Sequence, residues 1–105
     1  MYRMEGYAVY SGLIAREGKG HIIRKHLLEV AKEMNDIDDC KAYIVGVDPK
    51  SDDALFVYES WTSKASHDAS LQLPIYQVLR DNSRPYILTV RNFPSVNYIA
   101  GHSRM

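Results

Sequence analysis

Residues able to do chemistry are gathered in one stretch, Leu55 to Tyr76, which reads LFVYESWTSKASHDASLQLPIY. Glu59 supplies a carboxylate, Trp61 an indole N–H, His67 an imidazole able to take a proton, and Ser70 and Tyr76 supply hydroxyls. Glu59 and Trp61 are two residues apart on a predicted strand, which puts them on one face about 7 Å apart. A carboxylate held beside an indole and apolar neighbours has its pKa raised and can serve as a base. The indole N–H can hydrogen-bond a substrate oxygen, and His67 can accept a phenolic proton. The plainer reading of each residue stays open: Trp61 as core, Glu59 as a paired carboxylate, His67 as a solvent-facing side chain. Ser70 has no base beside it and sits in no Gly-x-Ser-x-Gly turn, so it is a lining residue and not a nucleophile. Tyr7 and Tyr76 are further candidates for lining a pocket among the eight tyrosines.

Positioning that corner requires a strand running directly into a helix. Leu55 to Trp61 alternates with a two-residue period and predicts the strand, while Thr62-Ser63 offers a helix cap before a helix over Lys64 to Leu73. Pro74 breaks that helix and opens a second piece to about Ser83. Upstream, Gly6 to Ala15 predicts a first strand, and Gly18-Lys19-Gly20 a turn. Ile23, Leu27, Val30 and Met34 mark the apolar stripe of a helix from about His21 to Asn35. Cys40 to Val47 predicts a second strand, joined through the turn-forming residues 48–53 to the third. Tyr86 to Phe93 predicts a fourth strand, and residues 94–105 a tail. The order β-α-β-β-α-β predicts one α+β domain over residues 1–105, with its core at about 7–93. It is ferredoxin-like, a four-stranded antiparallel sheet with helices on one face.

Both faces of the strands are apolar. Leu55, Val57 and Trp61 oppose Phe56 and Tyr58, and Val9 and Leu13 oppose Tyr10 and Ile14. A sheet covered by helices on one side only would then expose an apolar face, and packing two such sheets together as a homodimer resolves this. A fold-over of the tail is the alternative.

Composition narrows the partners. Thirteen basic and thirteen acidic residues give a formal net charge of zero. There is thus no basic field for nucleic acid and no polybasic segment for a membrane surface. No apolar run approaches the roughly 18–20 residues that span a bilayer. One cysteine, Cys40, fits a reducing compartment, and the expected location is cytoplasmic. His21 and His26 point about 140° apart on a helix, no spacing matches a zinc site, and no phosphate or dinucleotide loop is present. No metal or cofactor is therefore expected.

The combination of this element order with Tyr58-Glu59-Ser60-Trp61, Ser63, and the helix carrying Leu71, Pro74 and Tyr76 resembles the antibiotic biosynthesis monooxygenase family. The resemblance runs over roughly residues 7–93. It implies a dimeric α/β barrel and a cofactor-independent monooxygenase acting on an electron-rich aromatic, phenol or quinol. It also implies Trp61 orienting the substrate oxygen, His67 or Glu59 as proton acceptor, and Ser70 and Tyr76 lining the cavity. Relatives often carry a histidine where this chain has Ser70, some carry another where it has Ile75, and they have a Gly-Cys pair where it has Asp39-Cys40. Of the residues shared by haem-degrading relatives only Trp61 is retained, which argues against that activity. A non-catalytic dimer binding a small molecule is the alternative, and an isomerase acting on a small sugar-like signal is less well supported by this corner.

Overall fold

A computed structural model describes residues 3–104. The strands are β1 (Arg3–Ala15), β2 (Cys40–Asp48), β3 (Ser51–Trp61), β4 (Ile87–Asn92) and β5 (Val96–Ala100). The helices are α1 (Gly20–Met34), α2 (Lys64–Ser70) and α3 (Pro74–Ser83), and a 3-10 turn over Arg84–Tyr86 leads into β4. The sheet is antiparallel in the order β2-β3-β1-β4, and β5 also pairs with β1. The expected ferredoxin-like α+β fold is therefore present, with one addition. The sheet has five strands where four were expected. The tail forms β5 because β1 is long enough to serve two neighbours: its second half pairs with β4 and its first half with β5.

The apolar stripe of α1 behaves as its spacing predicts: Ile23, Leu27, Val30 and Met34 are all buried. They pack with Leu55, Val57, Trp61 and Leu79 in one core. Each such side chain contributes about 1.5–3 kcal/mol on full burial. The turn before α1 uses Gly18 in the left-handed region (φ 75°), where only glycine is at ease. The Asp53 carboxylate, at the start of β3, accepts the N–H groups of Gly18 at 3.0 Å and Gly20 at 2.9 Å. It thus supplies from across the fold the cap that Lys19 does not.

Helix α2 starts on a reciprocal cap. Ser66 N–H donates to Ser63 Oγ at 3.1 Å, and Ser63 N–H donates to Ser66 Oγ at 3.2 Å. It ends at Ser70, three residues before the expected Leu73, because Leu73 is held extended (φ −68°, ψ 141°) ahead of Pro74. Proline then opens α3 from the first-turn position. The hairpin between β2 and β3 is tighter than the sequence suggests: only Pro49-Lys50 separates the strands, and Asp48 Oδ1 accepts the Lys50 N–H at 2.7 Å.

Candidate active site

On the helix-facing side of the sheet, β3 presents Leu55, Val57, Glu59 and Trp61 in succession. Their neighbours in register on β1 are Leu13, Ser11, Val9 and Tyr7. Tyr43 of β2 stands beside Glu59. Between this face and α1, α2 and α3 lies a cavity of about 420 Å³, walled mostly by apolar side chains such as Val57, Leu71 and Leu79. That volume falls within the range of small-molecule sites. Glu59, His67, Ser70, Tyr43 and Tyr76 also line it.

Glu59 and His67 are the ionisable pair of the cavity. Their side chains are 12% and 13% exposed, and Glu59 Oε1 stands 3.9 Å from His67 Nε2. The separation is too long for a hydrogen bond but short enough for strong charge coupling. Burial pushes the Glu59 carboxyl above the usual carboxylate range, and the Trp61 hydrogen bond and the nearby His67 only partly oppose it. On its other side, His67 Nδ1 meets Asp68 Oδ1 at 3.1 Å, and Asp68 is itself held by Lys64 at 2.7 Å. Those contacts, Lys64 first, lower the Asp68 carboxyl and keep it ionised. An ionised Asp68 assigns the proton to Nδ1, which leaves the Nε2 lone pair directed at Glu59 and the cavity. The imidazole is framed by rings: Tyr7 lies 5.5 Å away at 52° and Trp61 6.0 Å away edge-on at 75°.

The expected site residues separate into two groups. Glu59, His67, Ser70 and Tyr76 border the cavity, whereas Trp61 and Tyr7 do not. Trp61 is fully buried, and its indole N–H donates to Glu59 Oε1 at 3.1 Å. The donor expected to meet a substrate oxygen is therefore engaged within the protein, and Trp61 positions the carboxylate. Tyr7 packs on His67 from behind and so does not line the pocket as expected. The Ser70 hydroxyl donates to the His67 carbonyl at 2.6 Å, which makes it a helix-internal bond at the cavity edge.

Sequence reasoning missed Tyr43. Its phenol is pushed up out of the ordinary tyrosine range, first by burial and then by Glu59 and Tyr76, so it stays a protonated donor. The turn alone hides it: counted back from the Asp48–Ser51 pair, Tyr43 would face Phe56, and a register shift between Val47 and Asp48 is what places it opposite Glu59. Among the described residues no three ligating side chains cluster as a metal site, and no helix is long and apolar enough to cross a membrane.

An antiparallel sheet with its helices on one face and a ligand-sized cavity beneath them defines a small α+β protein of the ferredoxin-like class. A family model described as antibiotic biosynthesis monooxygenase matches residues 8–82, and the chain belongs to that family. Among solved structures, a proposed antibiotic biosynthesis monooxygenase from Chloroflexus aurantiacus is 29% identical, with a TM-score of 0.76 over 95% of this chain and 97% of that one. A protein from Nitrosomonas europaea with the same proposed assignment is 12% identical, with a TM-score of 0.77 over 97% of this chain and 95% of that one. A Pseudomonas aeruginosa protein is 11% identical, with a TM-score of 0.83 over 92% and 97% of the two chains. The last two show likeness of fold alone. A comparison with curated proteins finds no match.

Proposed function

We propose that this protein is a cofactor-independent monooxygenase acting on an electron-rich aromatic, a phenol or quinol. The observation that carries the reading is the Glu59–His67 pair, coupled across 3.9 Å at the edge of an otherwise apolar cavity. Such a cavity takes a flat apolar ring, and its few ionisable groups meet the ring's hydroxyl. His67 Nε2 accepts the phenolic proton, while Asp68 on Nδ1 holds the ring in place. Glu59, where ionised, stabilises that imidazolium, and Trp61 holds Glu59 in place. The Tyr43 hydroxyl, kept protonated, is a donor suited to the developing phenolate oxygen.

Electrons for oxygen come from the substrate. A substrate RH₂ reacts with O₂ to give RO and water, so one oxygen atom stays on the ring system and the other leaves as water. The ring carbon loses four electrons and dioxygen gains them, and both substrate hydrogens end in the water. The protein contributes by excluding bulk water and stabilising the anion.

The active unit in this reading is a homodimer. The sheet face away from the helices exposes Tyr10 (42%), Ile44 (41%) and Tyr58 (37%). Tyr10 also stacks on Phe56 at 6.0 Å and meets Phe93 at 4.9 Å. The tail pairs with β1 and its Tyr98 hydroxyl reaches Ser60 on this face at 2.8 Å, yet Tyr10, Ile44 and Tyr58 stay exposed, which favours a second copy as their cover. The free, half-buried Cys40 supports a reducing, cytoplasmic setting.

The test is oxygen uptake by purified protein with a panel of hydroquinones and anthrone-type phenols. Turnover that falls about 100-fold or more in His67→Ala supports the reading. No turnover by folded protein with any member would replace it with a binding module.

A further inference from the structure

Helix α2 buries no apolar side chain. Its sequence, KASHDAS, holds no large aliphatic residue, both alanines are exposed, and no α2 residue belongs to the core. Helices α1 and α3, by contrast, are held there by Ile23, Leu27, Val30, Met34 and Leu79. A helix this short does not sustain itself in water, and helices in proteins owe most of their stability to a packed apolar face. Such a face is missing from α2.

What holds α2 is polar and sits at its two ends. At the start, Thr62 N–H donates to the Asp39 carbonyl at 2.9 Å and Thr62 Oγ1 donates to Asp39 Oδ1 at 2.9 Å, which ties the exit of β3 to the head of β2. At the far end, Gln77 Nε2 of α3 donates at 3.2 Å to the carbonyl of Leu71, the residue that ends α2. Arg80 Nη2 donates in turn to Gln77 Oε1 at 2.8 Å and steadies that amide. Between the ends, the side chains turned inward are His67 and Ser70, and both line the cavity. The helix thus rests on the protein through the groups that form the cavity wall.

A segment with few apolar contacts and polar ties at its ends opens locally at lower cost than the whole fold. We infer that α2 is a lid. It swings as one unit from the end anchored by Asp39, Gln77 is its clasp, and its closure carries His67 into place beside Glu59. Opening withdraws His67, Ser70 and Leu71 from the cavity wall. It therefore widens the cavity and removes the imidazole in one motion, which on the reading above confines proton transfer to the closed state. The motion is a property of the fold and holds whether or not the cavity turns over a phenol.

Amide hydrogen exchange of the intact protein, read by NMR, tests the lid. The amides of His67 to Ser70 should exchange through one common opening, with protection at least about 100-fold below that of Leu27 and Val30 in α1. Gln77→Ala should lower the protection of all these α2 amides by about fivefold, the effect of one hydrogen bond. Gln77→Glu keeps the size of the side chain and a partner for Arg80 but cannot donate to Leu71, and it should act in the same direction. The His67 ring protons, which feel the ring currents of Tyr7 and Trp61, should move toward free-imidazole positions in both variants. Protection in α2 equal to that in α1 would mean that the helix opens only with the whole protein, and would overturn the lid. Loss confined to Ser70, with His67 untouched, would be fraying of the last turn and would overturn it too. Exchange indifferent to both Gln77 variants removes the clasp and the lid with it. No substrate enters these measurements, so a negative result leaves the oxygenase reading to the oxygen-uptake test.

Discussion

The indole N–H of Trp61 donates to Glu59 Oε1 across 3.1 Å, from two residues further along the same face of β3. Strand geometry alone brings the two side chains together, and the bond fixes which way the carboxylate points. It also opposes the rise that burial imposes on the Glu59 carboxyl. Trp61→Phe keeps a large apolar ring and removes only the donor. Losing a bond to an ionisable acceptor should cost about 1.5–3 kcal/mol of stability by denaturant unfolding. The Glu59 carboxyl should titrate still higher than in wild type, as seen by carbon-detected NMR. A variant with unchanged stability and unchanged Glu59 titration would show that the bond holds nothing.

Glu59 should make stability depend on pH in a definite direction. Its folded-state carboxyl titrates above the unfolded value, with burial the leading cause. Between those two values the folded chain holds more protons than the unfolded one, so stability falls as pH rises through the folded pKa. Glu59→Gln removes this penalty and can keep an acceptor for Trp61. The variant should melt above wild type at pH 7, and the gap should close below the ordinary glutamate value. The same variant should lose activity, by about 10-fold or more if the carboxylate supports the imidazolium. Thermal melts across pH 3.5–8 check the sign.

How far the sequence foretold this corner depended on whether the governing contacts were local. The faces of β3, the stripe of α1 and the opening of α3 at Pro74 follow from two- and 3.6-residue periods and from proline's missing donor, and all were legible. The orientation of His67 was not, because it depends on Tyr7, Trp61 and Asp68 acting together. Tyr43 escaped because its face depends on the register shift between Val47 and Asp48, which no residue-type signal announces. The roles of Trp61 and Tyr7 shifted from lining the cavity to supporting it, since residue type reveals that an indole N–H needs a partner but not which partner it finds. Strand β5 escaped because the residues that pair it lie on the distant first half of β1.

The α1 entrance makes a prediction about packing. A Cβ on Gly20 would run into the carbonyl oxygen of Asp52, a backbone atom that cannot swing aside. Gly20→Ala should therefore destabilise the protein by about 1–3 kcal/mol, although alanine is the better helix former. Chemical denaturation gives the value, and a stabilised variant would show that the approach of β3 to α1 is looser than described.

Asp53 supplies the counterpart in pH. Bonds from the Gly18 and Gly20 N–H groups lower its carboxyl below the usual range. Its contribution is therefore present above the unfolded carboxylate value and is lost as pH falls through the folded one. Asp53→Asn should melt below wild type at pH 7, with the difference shrinking in acid. A constant difference across that range would deny the carboxylate its role at the helix start.

The exposed aromatic face predicts an assembly. If a second copy covers Tyr10 and Tyr58, Tyr10→Glu should convert a dimer to a monomer by sedimentation at micromolar concentration, because it buries a charge without a partner. Wild type sedimenting as a monomer would instead leave that face to solvent.

The central claim is that the Glu59–His67 corner deprotonates an aromatic substrate and commits it to reaction with dioxygen. The most direct measurement is turnover of an anthrone-type phenol under isotopically labelled dioxygen, with wild type, His67→Ala and Glu59→Gln compared by mass spectrometry of the product. The account predicts one labelled oxygen atom in the wild-type product, the other in water, and label incorporation that collapses in His67→Ala. Unlabelled product, dioxygen recovered as hydrogen peroxide, or incorporation indifferent to His67 would contradict it.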